Sequence, residues 1–88
     1  MTLPDIRLLQ AAIALSEALN FSRAAERLHV VQPTLSKQIL ELESQLGFRL
    51  FIRTSQSVEM TDACYPFVQE AKEGERYVKA IRCAVIFL

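Results

Sequence analysis

The sequence predicts a mainly α-helical fold: a three-helix core, a short β-hairpin and a long closing helix. Three observations carry this reading. Leu35, Ile39, Leu42 and Leu46 recur at intervals of four, three and four, the single apolar stripe of an amphipathic helix. Around that stripe, Asn20 to Arg53 parses as short helix, tight turn, longer helix and apolar strand. This is the order of a helix-turn-helix with a wing behind it. Finally, two glycines and three prolines in 88 residues leave little room for long loops.

Helix one is expected to start around Leu3, with Thr2 or Leu3 as cap, Pro4 in first position and Asp5 in the first turn. Its core stripe reads Ile6, Leu9 and Ile13, joined by Ala12 and Ser16, and it ends near Leu19. Helix two begins after Ser22, whose hydroxyl suits the N–H groups of Ala24 or Ala25. The small Ala24-Ala25 pair permits close approach to neighbouring helices, with Leu28 in the core. His29 closes that helix, where a cation is favoured, so capping is the plainer reading than metal binding. Val30-Val31 form the turn, and helix three runs from Pro33 to Leu46. Proline suits the first helical position because its missing N–H had no partner there. Gly47 is placed to take the left-handed conformation that stops the helix. Thr34, Lys37, Glu41 and Ser44 fall opposite the apolar stripe, so one face is built for a core and the other for solvent or a ligand.

Phe48 to Arg53 reads as a strand and Val58 to Met60 as its return. The tip, Thr54 to Ser57, has no Gly or Pro, which predicts a loosely ordered loop rather than a tight primed turn. Thr61 then caps the last helix, with Asp62 favourable at its start. That helix carries Cys64, Phe67, Val68, Ala71, Val78, Ile81, Val85 and Leu88 at threes and fours. Gly74 interrupts it at a cost of about 1 kcal/mol relative to Ala. The stripe approximates heptad spacing, which suits packing against a second helix. The chain therefore divides into a winged unit, 1–61, and a linker helix, 62–88.

A chain of this size is one domain and buries only ~60% of its unfolded surface, so docking or dimerisation would help it. A hydrophobic fraction of 51% points the same way. The formal net charge of +0 is not what nucleic-acid binding leads one to expect. Between residues 20 and 56, however, Arg23, Arg27, Lys37, Arg49 and Arg53 stand against Glu26, Glu41 and Glu43, a local excess of two. Asp62, Glu70, Glu73 and Glu75 lie in the C-terminal helix. The expected salt dependence per protomer is shallow.

Cys64 and Cys83 form no CxxC. On one continuous helix they stand on the order of 30 Å apart, too far to pair. Reduced thiols, no visible signal peptide and no apolar run long enough for a membrane span together predict a cytoplasmic protein. With one His, no nucleophile–base pair and no Gly-rich phosphate loop, an enzyme is not expected. Neither a cofactor nor a metal site is expected either.

Ala24-Ala25, Leu28, Gln32-Pro33, Leu35-Ser36-Lys37-Gln38-Ile39, Leu42-Glu43, Leu46-Gly47 and Leu50-Phe51-x-Arg53 follow one another in fixed order, and Val58 and Met60-Thr61 extend the series. In these positions, over residues 3 to 65, the chain resembles the N-terminal DNA-binding domain of LysR-type transcriptional regulators. The resemblance implies a winged helix-turn-helix that binds an inverted-repeat operator on double-stranded DNA as a homodimer or higher oligomer. It also implies that the final helix is the dimerising linker, formed here by Phe67, Val68, Ala71, Val78, Ile81 and Val85. In the family an effector-binding domain follows, and these 88 residues are expected to lack it.

The same resemblance puts Gln32, Pro33, Thr34 and Lys37 at or near base edges. The chemistry agrees: Gln pairs with adenine, Pro and the Thr methyl touch a thymine methyl, and Lys donates to guanine O6 and N7. Helix capping is the alternative for Gln32 and Thr34, and a merely solvated charge for Lys37. Ser22, Arg23, Ser36 and Gln38 are candidates for phosphate contacts, which fix register without reading sequence. Ser22 as a simple cap is the competing reading. Arg53 follows the wing strand, where the family has an arginine reaching backbone or minor groove; a surface salt bridge is its alternative. Two departures stand out. Gln56 replaces a second wing arginine that the family often has, and Cys64 replaces a glycine, as a buried and inert thiol rather than a redox sensor. A truncated regulator acting as an interaction module, with little DNA affinity of its own, is the competing function. The +0 charge and apolar tail speak for it.

Overall fold

The computed structural model describes residues 5–54 and 57–74. Three helices, α1 (Ile6–Ala18), α2 (Phe21–Leu28) and α3 (Gln32–Leu46), precede strands β1 (Phe51–Arg53) and β2 (Val58–Met60). A further helix, α4, occupies residues 64–74 of the described chain. The two strands pair antiparallel with Phe51 opposite Met60 and Arg53 opposite Val58, forming the wing. The fold is therefore the expected winged helix-turn-helix.

Several local details differ from the expectations. Helix α1 starts at Ile6, because the Asp5 side chain, not Thr2 or Leu3, accepts the orphan N–H of Arg7 at 2.9 Å. Its buried residues are Leu8, Ala11, Ala12, Ile13, Ala14 and Leu15, while Ile6, Leu9 and Ser16 are only half-buried. A helix packed against both α2 and α3 is covered on most of its circumference, so one stripe does not describe it. Helix α2 starts two residues early, since Asn20 Oδ1 accepts from the Arg23 N–H at 3.0 Å and leaves Ser22 inside the helix and exposed. The turn expected at Val30-Val31 follows His29, which adopts φ 57° at the α2 C-cap. Gly47 ends α3 at φ 81°, as its lack of a Cβ suggests.

The hairpin is shorter than the run from Phe48 suggests. Leu50 is fully buried and Phe48 is exposed, so the chain turns inward before pairing begins. Thr54 and Ser57 close the hairpin: Thr54 N–H donates to Ser57 O at 2.9 Å, and Ser57 N–H to Thr54 Oγ1 at 3.0 Å. Two tip residues, Ser55 and Gln56, lie outside the described residues. Thr61 does not cap a helix with its hydroxyl. Its Oγ1 donates to Arg49 O at 2.6 Å and ties the base of the wing, while α4 begins only at Cys64.

One core joins every element. Leu15 of α1, Leu35 and Leu42 of α3, Leu50 before β1 and Cys64 of α4 are its largest fully buried side chains. Val68 and Ala71, expected at a dimer interface, are 6% and 7% exposed and lie in this same core, with Phe67 packed partly against it. Spacing at threes and fours marks an apolar face without saying which partner covers it, and here the chain covers its own. Val78, Ile81 and Val85 lie outside the described residues.

Candidate nucleic-acid interface

The α3 N-terminus presents the four residues expected at base edges. Gln32, Pro33, Thr34 and Lys37 are all exposed, whereas Leu35 and Ile39 behind them are 0% and 3% exposed. The division follows from the helical period: core residues three and four apart hold the helix down, and the residues between them face outward. Val31 caps the helix with its backbone alone; its carbonyl accepts from the N–H groups of Thr34 and Leu35. Among the described residues the Gln32 and Thr34 side chains make no hydrogen bond, so neither is engaged as a cap.

The backbone-contact candidates separate into two groups. Arg53, at the end of β1, lays its guanidinium 3.9 Å from the centre of the Phe21 ring and donates from Nη1 to Ser36 Oγ at 3.4 Å. Ser22 and Arg23 follow Phe21 on α2 and are exposed. Thus Ser36 and Arg53 meet at Phe21, where α2, α3 and the wing come together, with Lys37 next to Ser36 and Ser22-Arg23 next to Phe21 in the chain. Gln38 lies apart, half-buried in a shallow cleft with Asp5, Arg7, Leu8 and Glu41.

Charge pairing distinguishes this face from the rest. Arg7 is ion-paired with Asp5 at 3.2 Å, Arg27 with Glu17 at 2.9 Å and Lys72 with the same Glu17 at 3.4 Å. Among the described residues Arg23, Lys37 and Arg53 have no such partner. Glu43, counted by sequence among the opposing charges, is buried; its Oε2 accepts from the Leu50 and Phe51 N–H groups at 2.6 and 3.2 Å. The positive character of the face therefore exceeds what the net charge indicates.

Asn20 and Phe21 were not singled out by sequence, and Glu43 entered only as a negative charge and as part of the Leu42-Glu43 pair. Asn20 ahead of a helix is a recognisable cap signal. Glu43 next to Leu42 reads as the polar edge of an amphipathic stripe, and nothing local marks Phe21 as a platform for a residue thirty-two positions later. Cys64 is fully buried, and burial, with the Glu43 carboxylate second, pushes its thiol up to about 11. An inert thiol is what this environment produces.

Residues 6–65 match the model of the bacterial regulatory helix-turn-helix proteins of the lysR family. The chain belongs to the LysR family. It is 48% identical over 68 residues to the HTH-type transcriptional regulator XapR of Escherichia coli (strain K12), covering 77% of this chain and 23% of that protein. The chain thus spans about a quarter of the length of the curated LysR regulators it matches. Two solved structures carry the likeness to DNA-bound domains. The CbnR DNA-binding domain in complex with DNA superposes with a TM-score of 0.80 at 35% identity, covering 92% of this chain and 98% of that one. The BenM DNA-binding domain with benA site 1 DNA gives 0.86 at 33% identity, covering 92% and 91%. The chain is a LysR-type helix-turn-helix DNA-binding domain of the kind found in transcriptional regulators.

Proposed function

We propose that this domain binds an inverted-repeat operator sequence-specifically, as a homodimer in the cytoplasm, with α3 in the major groove. Gln32, Pro33, Thr34 and Lys37 read base edges. Ser22, Arg23, Ser36 and Arg53 hold phosphates, with Gln38 at the margin beside α1. The wing follows the backbone or the minor groove. The observation that carries this reading is a row of exposed side chains at the α3 N-terminus, with Gln32 and Thr34 free of hydrogen bonds and Lys37, Arg23 and Arg53 free of carboxylate partners among the described residues. Arginine and lysine left unpaired on a folded surface are poised to replace the counterions of a phosphate backbone. That similar domains have been solved in complex with DNA supports the reading.

Dimerisation rests on residues 62–88 as the linker, with the partly buried Phe67 and the later positions Val78, Ile81 and Val85 as its contact stripe, because Val68 and Ala71 are consumed by the domain core. Two-fold symmetry would match two half-sites one helical turn apart on one face of the duplex. No chemical step is assigned to the domain. Its relatives are named as regulators of transcription.

Fluorescence anisotropy of the chain on its own upstream intergenic DNA, beside a scrambled duplex at several salt concentrations, tests the reading. Tight binding confined to the natural sequence and weakening with salt is expected. Equal, weak binding to both duplexes would instead favour an interaction module without sequence recognition.

A further inference from the structure

We propose that Phe21 is a positioning residue for DNA binding: its ring holds the Arg53 guanidinium beside the Ser36 hydroxyl, so that the two present together to one phosphate. The inference rests on the DNA-binding reading but not on operator specificity. Arg53 is exposed and lies at the last position of β1, next to the wing tip. An arginine there has many rotamers and no carboxylate among the described residues to restrain it. What restrains it is the Phe21 face, 3.9 Å from Cζ, and the Ser36 oxygen at 3.4 Å from Nη1.

Phe21 is suited to this task. It opens α2 and packs partly against the core, so its own ring is fixed by the domain. A cation over an aromatic face is attracted by the ring quadrupole while its edge N–H groups stay available. A guanidinium stacked flat therefore keeps donors directed outward for a planar, bidentate phosphate contact. A carboxylate partner would restrain Arg53 equally well, but would cancel the charge the phosphate needs. Stacking restrains it without neutralising it. The contact also links three elements at one point, since Phe21 belongs to α2, Ser36 to α3 and Arg53 to the wing. Ordering the side chain before binding removes part of the entropy otherwise lost on association.

The test uses the full chain and a mixed-sequence duplex of about 30 base pairs at low salt, because phosphate contacts are independent of sequence. Phe21→Leu keeps an apolar side chain but removes the quadrupole; Phe21→Trp keeps both. Phe21→Leu is expected to weaken binding about two- to fivefold, with Phe21→Trp at wild-type affinity. In an Arg53→Ala background, Phe21→Leu should have no further effect. Proton NMR supplies a readout independent of DNA: the Arg53 Hδ resonances should lie upfield in the wild type and in Phe21→Trp, and return to ordinary shifts in Phe21→Leu. Circular dichroism confirms that each variant stays folded at the assay temperature, and the NMR comparison of wild type with Phe21→Trp stands even if Phe21→Leu does not. Unshifted Arg53 resonances in the wild type would overturn the proposal, as would equal losses from Phe21→Leu with and without Arg53. Normal DNA binding by Arg53→Ala would overturn it while leaving the recognition-helix reading intact. Absence of any binding by the wild type would overturn both.

Discussion

The carboxylate of Glu43 sits inside the domain and accepts from two consecutive backbone N–H groups, Leu50 and Phe51. Charge-assisted bonds to buried amides are the stronger kind, and leaving those amides without an acceptor carries its own penalty. Glu43→Ala should therefore lower the unfolding free energy by about 2–3 kcal/mol, measured by urea denaturation. A loss under ~0.5 kcal/mol would show that water takes over the two donors. Cys64 offers a second test at this scale. Its thiol is raised from 9.0 to about 11, so the folded state holds the proton that the unfolded state releases first. The stabilisation this implies is fully present below pH 9 and is lost as pH climbs towards 11. Cys64→Ala should flatten that part of a stability-against-pH curve, and an unchanged decline would assign it to other groups. On the exposed side, Thr34→Ala or Lys37→Ala should relax preference for the natural site by about 1–3 kcal/mol without changing helicity. Loss of helicity in circular dichroism would mean that these side chains support the fold.

Helix ends decide the geometry of the elements. Helices α1, α2 and α3 all finish on a left-handed residue, Leu19, His29 and Gly47, and only the last is the residue type that adopts this conformation without steric cost. At Leu19 and His29 the surrounding bonds hold the chain there: Leu19 N–H donates to Leu15 O, and His29 N–H to Glu26 O. Gly47 has open space where a Cβ would stand, so replacing it tests conformation alone. Gly47→Ala should destabilise by about 1 kcal/mol, read as a drop of several degrees in Tm. No change would mean that α3 can end without the left-handed turn. The wing is braced at its base rather than at its tip, with Glu43 from α3 and the Thr61 hydroxyl holding the strand entry and exit. Helix α3 and the wing are in this way fixed to each other.

At the scale of the whole molecule, the balance between apolar surface and net charge takes on a different meaning. Part of the hydrophobic excess is absorbed internally, since α4 contributes Cys64, Val68 and Ala71 to the core. Two acidic residues are likewise engaged within the fold, Glu17 by Arg27 and Lys72 and Glu43 by backbone amides. Among the described residues Arg23, Lys37, Arg49 and Arg53 are left without a carboxylate partner. The proposed self-association then falls to Val78, Ile81 and Val85. Ile81→Glu should weaken dimers by tenfold or more in sedimentation equilibrium, on the order of the 1.4 kcal/mol or above expected for burying a charge in an apolar seam, while helicity of the winged unit is kept. An unchanged association constant would locate the dimer contact elsewhere.

The α3 helix, its Gly47 stop, the β2 strand and the exposure of Thr34, Lys37, Glu41 and Ser44 were all legible from the sequence, because each depends on periodicity or on a residue's own backbone preference. These signals act over a few residues and survive in any context that lets a helix or turn form. Tertiary structure alone decided which partner covers an apolar face, as Val68 and Ala71 demonstrate. It alone turned Glu43 from a surface charge into the acceptor that holds the wing, and Thr61 from a helix cap into a brace. It alone brought Phe21, Ser36 and Arg53 together. The physical reason is common to all of these. A side chain's partner across the fold is set by how elements pack in three dimensions, and distance along the chain carries no information about that contact.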